Sequence, residues 1–280
     1  MTPVRLGAVG YLNARPLVYG LERSPRFDVR FDLPSRCAAL LHDGAIDVGL
    51  IPSIEYLRPP ADAGYYRIVP DLAIASCGPV VSVALYTTKP ISDVRSIAVD
   101  TSSRTSVALV RVMCARWFKI QPAIESTGPD ITAMLADSDA ALLIGDNALF
   151  LDPATVRLKP DTTHETDDDV TIEKIDLGEA WTQMTGLPFV WAFWAGRGGV
   201  LSPGNVEALQ QARNAGVGRS DEIARDYFRD APARQAIGAR YLRDNITYDL
   251  ADEERAGLEL FFRYAAEIGV VARANELRLY

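Results

Sequence analysis

Thr101-Ser102-Ser103-Arg104-Thr105-Ser106 places five hydroxyls and one guanidinium in six consecutive residues, just after a strand-like stretch at 97–99 and just before a helical pattern at 106–118. Free backbone N–H groups at the positive end of a helix, supplemented by hydroxyls, bind a carboxylate or a phosphate. A plain N-cap is the simpler use of such residues. The number of hydroxyls, the arginine and the preceding strand favour the anion site. With no GK[ST] and no glycine cradle, the segment is not a nucleotide-binding P-loop. Asn13, in GYLNARP, carries an amide that can donate and accept toward a hydroxyl or ether oxygen but cannot act as a base at neutral pH. Asn after a strand is also a common turn former. Ser82, in GPVVSVAL, sits in an apolar segment, where a lone hydroxyl ordinarily bonds the backbone. Asp146, in LLIGDNAL, reads as a helix N-cap or as a site group.

The chain has two histidines, His42 at a helix end and His164 in an acidic run. Neither falls on a loop expected to face a ligand, so a Ser-His-Asp triad or a histidine-bound metal has little support. A proton acceptor would come from Asp100, Asp146, Glu55, water or the ligand itself.

These residues need elements to position them. Strand, polar loop and helix recur in that order. Residues 4–9 read as a strand, 10–15 as a polar turn, and a helix starts after Pro16. Residues 27–33 alternate as a strand does, Pro34 opens a helix through His42, Gly44 stops it, and 46–51 is a buried strand. The order returns later as a strand at 97–99, a helix at 106–118 with Val107, Val110, Met113, Cys114 and Trp117 on its apolar face, a strand at 123–126, a helix from Asp130, and a buried strand at 140–144. ALLHDGAIDVGLIPS and AMLADSDAALLIGDN echo each other residue by residue.

Strands alternating with helices imply parallel sheets, hence two α/β lobes of similar topology. Extended segments at 80–87 and 187–195 read as two hinge crossings. This divides the chain into one discontinuous lobe, 1–88 with 190–280, and a second lobe, 89–189. The largely helical end from Ser202 packs most simply on the first. Ligands of open parallel sheets bind beyond the carboxyl ends of the strands. Four loops, 10–15, 52–55, 100–106 and 145–147, would therefore line one cleft. Ser53, Gly145 and Asp146 join Ser102, Ser103, Thr105 and Ser106 there as candidate ligand contacts.

The composition bounds the function. Apolar residues make up 48% of the 280, charged residues 24%, and the net charge is −8, which excludes a disordered chain and argues against general affinity for nucleic acid or anionic membrane. The three cysteines are scattered and form no CxxC pair. The longest apolar stretch, 187–195, is about half of the roughly 20 residues of a membrane helix. The N-terminal residues show no signal-peptide pattern, so a cytoplasmic location is expected. The run at 159–169 reads as an exposed acidic loop.

VGYLNARPL, DVGLIPSIEY, CGPVVSVALYTTKP, SIAVDTSSRTSVAL, LLIGDNAL and DLGEAWTQMTGLPFVWAFWAGR, taken in order, resemble the chorismate dehydratase family of the futalosine route to menaquinone. The likeness runs from about residue 4 to residue 200. It implies a periplasmic-binding-protein type II fold used as an enzyme that removes water from chorismate to give 3-[(1-carboxyvinyl)oxy]benzoate. By motif, the Asn and Ser important to catalysis correspond to Asn13 and Ser82, and the SSRTS segment would hold a substrate carboxylate. No cofactor or metal is implied. The resemblance assigns no role to Arg15 or Arg36, and the acidic run is longer than the family's pattern. A non-catalytic binding protein for an organic anion shares the cleft, and the sister enzyme forming 1,4-dihydroxy-6-naphthoate shares the fold but uses a histidine.

Overall fold

A computed structural model of the chain describes residues 2–61, 64–100, 102–157 and 171–280. Thr101, His164 and the acidic run at 159–169 lie outside the described residues.

The chain begins with β1 (Val4–Val9), β2 (Phe27–Asp32), α1 (Pro34–His42), β3 (Val48–Pro52), β4 (Tyr66–Ile68) and β5 (Ile74–Ser76). It continues through β6 (Val83–Thr87), β7 (Ser96–Asp100), α2 (Arg104–Met113), β8 (Ala123–Thr127), α3 (Ile131–Asp137), β9 (Ala140–Ile144), α4 (Gly145–Leu149), β10 (Glu173–Asp176) and α5 (Leu177–Thr185). It then returns along β11 (Phe189–Arg197) and ends in α6 (Pro203–Val217), α7 (Ser220–Tyr227), α8 (Pro232–Asp244) and α9 (Asp252–Glu267).

Two sheets form two lobes. The first runs β2-β1-β3-β11-β4 with β5 also on β11, and the second runs β10-β6-β9-β7-β8. In the first sheet β1 lies parallel to β2 and β3, and β11 joins antiparallel; in the second, β7 lies parallel to β8 and β9, and β6 joins antiparallel. Parallel neighbours require a crossover: residues 10–26 join β1 to β2, α2 joins β7 to β8, and α1 and α3 lead back to central β3 and β9. The two echoing sequence segments are therefore the same piece of architecture: helix end, link and central strand. Central β3 and β9 are buried along their whole length, whereas edge strand β2 alternates, as strands covered on two faces and on one face do.

The fourth strand of each sheet comes from the other half of the chain. β6 follows the first unit but pairs in the second sheet; β11 follows the second unit but pairs in the first. Each expected crossing is thus a short passage, 77–82 or 186–188, followed by a strand that belongs wholly to one sheet.

Three local expectations are corrected. No α-helix starts after Pro16; a 3-10 turn spans Leu12–Val18 with Pro16 inside it, because proline has no N–H to give the α-helical ladder. Trp117 is 43% exposed because the helix loosens into a π turn at Cys114–Phe118, which rotates the apolar stripe. Asp146 is not an N-cap; α4 is preceded by Ile144, and Asp146 sits in its first turn.

The C-terminal helices pack mainly on the first lobe. α6 lies so close to the 3-10 turn that a Cβ on Gly216 would stand 2.3 Å from the Pro16 carbonyl oxygen. α9 contacts both β11 and α2, and so touches both lobes. Trp181 of α5, Phe189 and Trp191 of β11 and Phe261 of α9 form a chain of edge-to-face rings with centroids 4.4–6.1 Å apart. Cys37 and Cys114 are buried and their thiols are pushed up to about 12 by desolvation, so they act as apolar filler. Among the described residues, no helix is long and apolar enough to cross a membrane.

Asp139 ties the second lobe's α3–β9 link to β7. Its carboxylate pairs with Lys89 and accepts from the Arg95 N–H at 2.8 Å and the Ser96 N–H at 3.3 Å. The Lys89 bond, aided by those backbone N–H groups, holds it below the ordinary value of 3.8. The stabilisation is therefore present above that value and is lost as pH falls through the depressed folded pKa. Asp139→Asn is expected to cost about 1 kcal/mol near neutral pH. Urea denaturation from pH 7 to pH 2 should show this deficit shrinking toward zero at the acid end.

Candidate active site

The carboxyl ends of β1, β3, β7 and β9 converge between the lobes on a cavity of about 60 Å³. Asn13, Ser82, Ser103, Thr105, Ser106 and Gly145 line it, together with Tyr11, Trp191 and apolar Val9, Ile74, Val80, Val83 and Ile144. Residues separated in sequence by more than 130 positions thus share one small space. Among the described lining residues there is no Lys, Arg or His. The polar groups are hydroxyls, an amide and an indole, backed by the N-terminus of α2, so charge on a ligand would meet oriented dipoles instead of a counter-ion.

The hydroxyl turn does two jobs. Ser103 caps α2: its Oγ accepts the Ser106 N–H at 3.4 Å and donates to the Ser106 Oγ at 2.7 Å. The cap reading and the ligand-facing reading therefore describe the same residues. Thr105 Oγ1 accepts the Ile54 N–H at 3.3 Å, which ties α2 to the first lobe.

Ser53, Ser102 and Asp146 are not brought onto the cavity lining. Ser53 is fully buried, and its hydroxyl donates to the Val190 carbonyl at 2.8 Å. The Ser102 Oγ lies 3.4 Å from the Tyr11 hydroxyl, and its carbonyl accepts the Ser35 N–H at 3.3 Å. Asp146 Oδ2 accepts from the Tyr227 hydroxyl at 2.6 Å, and the Leu12 N–H also bonds its carboxylate. Burial nevertheless raises Asp146 above the ordinary aspartate value. Ser102 and Asp146 thus join the two lobes, while the Ser53–Val190 bond lies within the first.

Tyr11 separates the cavity from an outer groove formed by Gly10, Phe31, Asp32, Leu33, Asp146, Asn147 and Tyr227. Its ring covers Gly145, which has φ +60° and on which a Cβ would stand 3.2 Å from that ring. The backbone conformation favours glycine there, and a Cβ would crowd the tyrosine ring.

The arginines resolve into structural parts. Arg104 pairs with Glu55 Oε2 at 2.6 Å and Arg58 with Glu55 Oε1 at 3.0 Å, on a glutamate side chain that is fully buried. Glu55 is therefore an inter-lobe anchor and not a free base. The Arg15 guanidinium stacks over Phe31 and Tyr227, at 4.2 and 5.2 Å from the ring centroids. Arg36 is exposed. His42 stacks on Tyr66 at the far end of α1, outside the lining.

Sequence reasoning missed Tyr241 of α8. Its hydroxyl is buried 2.7 Å from Ser82 Oγ and also bonds the side chain of Asn13. Desolvation raises its pKa, so it stays a neutral phenol. Either hydroxyl can donate in the Tyr241–Ser82 pair, so the phenol holds the serine side chain in place at the cavity wall whichever way the proton lies. Nothing in GARYLRD marks that tyrosine as other than a helical core residue.

The fold has known counterparts. A protein of Archaeoglobus fulgidus superposes with a TM-score of 0.70 at 17% identity over 96% of this chain and 99% of that one. The periplasmic aliphatic sulphonate binding protein of Escherichia coli superposes with a TM-score of 0.66 at 14% identity over 100% of this chain and 92% of its own. At these identities the likeness is one of fold, and it is the two-lobed binding-protein fold. In sequence, the chorismate dehydratase of Thermus thermophilus is 32% identical over 269 residues, 93% of this chain and 94% of that protein. The family model described as menaquinone biosynthesis matches residues 4–267, the two lobes and the C-terminal helices through the end of α9, and the chain belongs to that family.

Proposed function

We propose that the protein is a chorismate dehydratase, a hydro-lyase that converts chorismate to 3-[(1-carboxyvinyl)oxy]benzoate and water, and that it acts in the cytoplasm on the futalosine route to menaquinone. The observation that carries the reading is the meeting of Asn13, Ser82 and the Ser103–Ser106 hydroxyls on one inter-lobe cavity, in a chain 32% identical to a chorismate dehydratase.

The chemistry follows from the substrate and the donors. Loss of the C3 hydrogen and the C4 hydroxyl makes the ring aromatic, which supplies the driving force. The C3 hydrogen is acidified through the C1=C2 double bond by the ring carboxylate. Hydroxyls and N–H groups at the start of α2 would bind that carboxylate and stabilise the negative charge that develops on it. The Asn13–Tyr241–Ser82 chain would orient the leaving hydroxyl and the enolpyruvyl arm. With no histidine on the described lining and Glu55 paired to two arginines, the enolpyruvyl carboxylate of the substrate is the favoured proton acceptor. It takes the C3 proton and passes it to the departing hydroxide, so water leaves and the carboxylate is regenerated. Hinge closure around a ligand is general to two-lobed folds, so the lobes are expected to part to admit a dicarboxylate ring and then close around it.

Incubation of the purified protein with chorismate, followed by proton NMR, tests the proposal. Aromatic signals of the product are expected. Chorismate that is bound and returned unchanged would instead identify a binding protein.

A further inference from the structure

Ser82 is presented by a strained turn. Val81 has φ +54°, a left-handed conformation that is a true outlier for a β-branched residue. The Ser82 N–H donates to the Val80 carbonyl at 2.7 Å, so residues 80–82 close a γ-turn of the strained hand with Val81 at its apex. Strain of this kind persists only where the surroundings over-determine the backbone.

One carboxylate supplies most of that constraint. Asp176 Oδ1 accepts the Val80 N–H at 3.0 Å, and Oδ2 accepts the Val81 N–H at 2.6 Å. Oδ1 also caps α5 by accepting the N–H groups of Gly178 at 2.9 Å and Glu179 at 3.0 Å. The neighbours complete the clamp. Thr182 Oγ1 accepts the Gly78 N–H at 2.9 Å, Lys174 Nζ donates to the Val81 carbonyl at 3.2 Å, and Asn245 Nδ2 donates to the Pro79 carbonyl at 3.0 Å. Gly178 lets the start of α5 come this close, since a Cβ there would stand 2.7 Å from the Gly78 carbonyl oxygen. The DLG of DLGEAW is thus directed at the turn that carries Ser82.

We propose that Asp176 is a positioning residue for Ser82: by holding the Val80 and Val81 N–H groups on its two oxygens it fixes the strained turn that aims the serine hydroxyl at Tyr241 and the cavity. The inference rests on the catalytic reading of Ser82. It assigns Asp176 no contact with substrate.

Steady-state kinetics on chorismate with Ser82→Ala, Asp176→Asn, Asp176→Ser and Asp176→Asn/Val81→Gly test it. Serine retains a helix cap but is too short to reach both N–H groups, so Asp176→Ser should keep a near-native melting temperature. Both single Asp176 variants should lose about 10- to 100-fold in kcat, with KM within about threefold. Glycine adopts the Val81 conformation without strain, so the double variant should recover about tenfold or more of the kcat lost by Asp176→Asn. A merely structural loss of the α5 cap would not be rescued in that way. Full kcat in both Asp176 variants beside an inactive Ser82→Ala would overturn the inference alone, as would a double variant no faster than Asp176→Asn. Full kcat in Ser82→Ala would remove the catalytic reading of Ser82 and this inference with it.

Discussion

Ser82→Ala and Asn13→Ala are each expected to lower kcat by about 10²- to 10³-fold, the usual cost of losing one donor aimed at a reacting centre, while KM changes only a few-fold. Both groups end on the Tyr241 hydroxyl, so they act as one unit. The double variant should then fall little further than either single one, well short of the product of the two losses. Single-turnover measurements on chorismate, with product binding measured separately, check this. If the single variants lose KM and retain kcat, the two residues bind the ground state and do not steer the elimination. Asp146→Asn makes the contrast, because Asp146 sits outside the cavity with its carboxylate taken up by Tyr227 and the Leu12 N–H. It should keep turnover, and its inactivity alone would point to a protein base.

The second large effect is on stability. Phe261 of α9 is fully buried, with ring centroids at 4.9 Å from Phe189, 6.1 Å from Trp181 and 6.1 Å from Phe262. Phe261→Ala removes the ring on which β11, α5 and α9 all close, and it should cost about 3–5 kcal/mol. Urea unfolding should show a lower midpoint with an unchanged slope. An unaltered midpoint would mean that α9 is an appendage and not part of the body that holds the lobes together.

What was legible in the chain was local and periodic. The strand–loop–helix order, the buried character of β3 and β9 and the echo between the two units follow from patterns of a few residues, and the sheets reproduce them. The hydroxyl turn could be placed at a helix N-terminus because cap residues and a following apolar stripe sit next to each other. Long-range features were out of reach. Tyr241 is 159 residues from Ser82, and its partner is set by how α8 docks, which no local pattern encodes. Val81 reads as an ordinary strand residue, yet four surrounding side chains hold its turn in a conformation its own propensity opposes. The sequence leaves open whether Arg104 meets ligand or solvent; in the fold, fully buried Glu55 claims it. Trp117 fell off the expected face because one π turn breaks the period on which the expectation relied.

The structure of the protein with 3-[(1-carboxyvinyl)oxy]benzoate bound tests the proposed site most directly. The geometry predicts the aromatic ring between the lobes, its ring carboxylate on the Ser103–Ser106 turn and its enolpyruvyl arm against Asn13 and Ser82. Product seated in the outer groove against Asp146 and Tyr227, with Asn13 and Ser82 untouched, would contradict it.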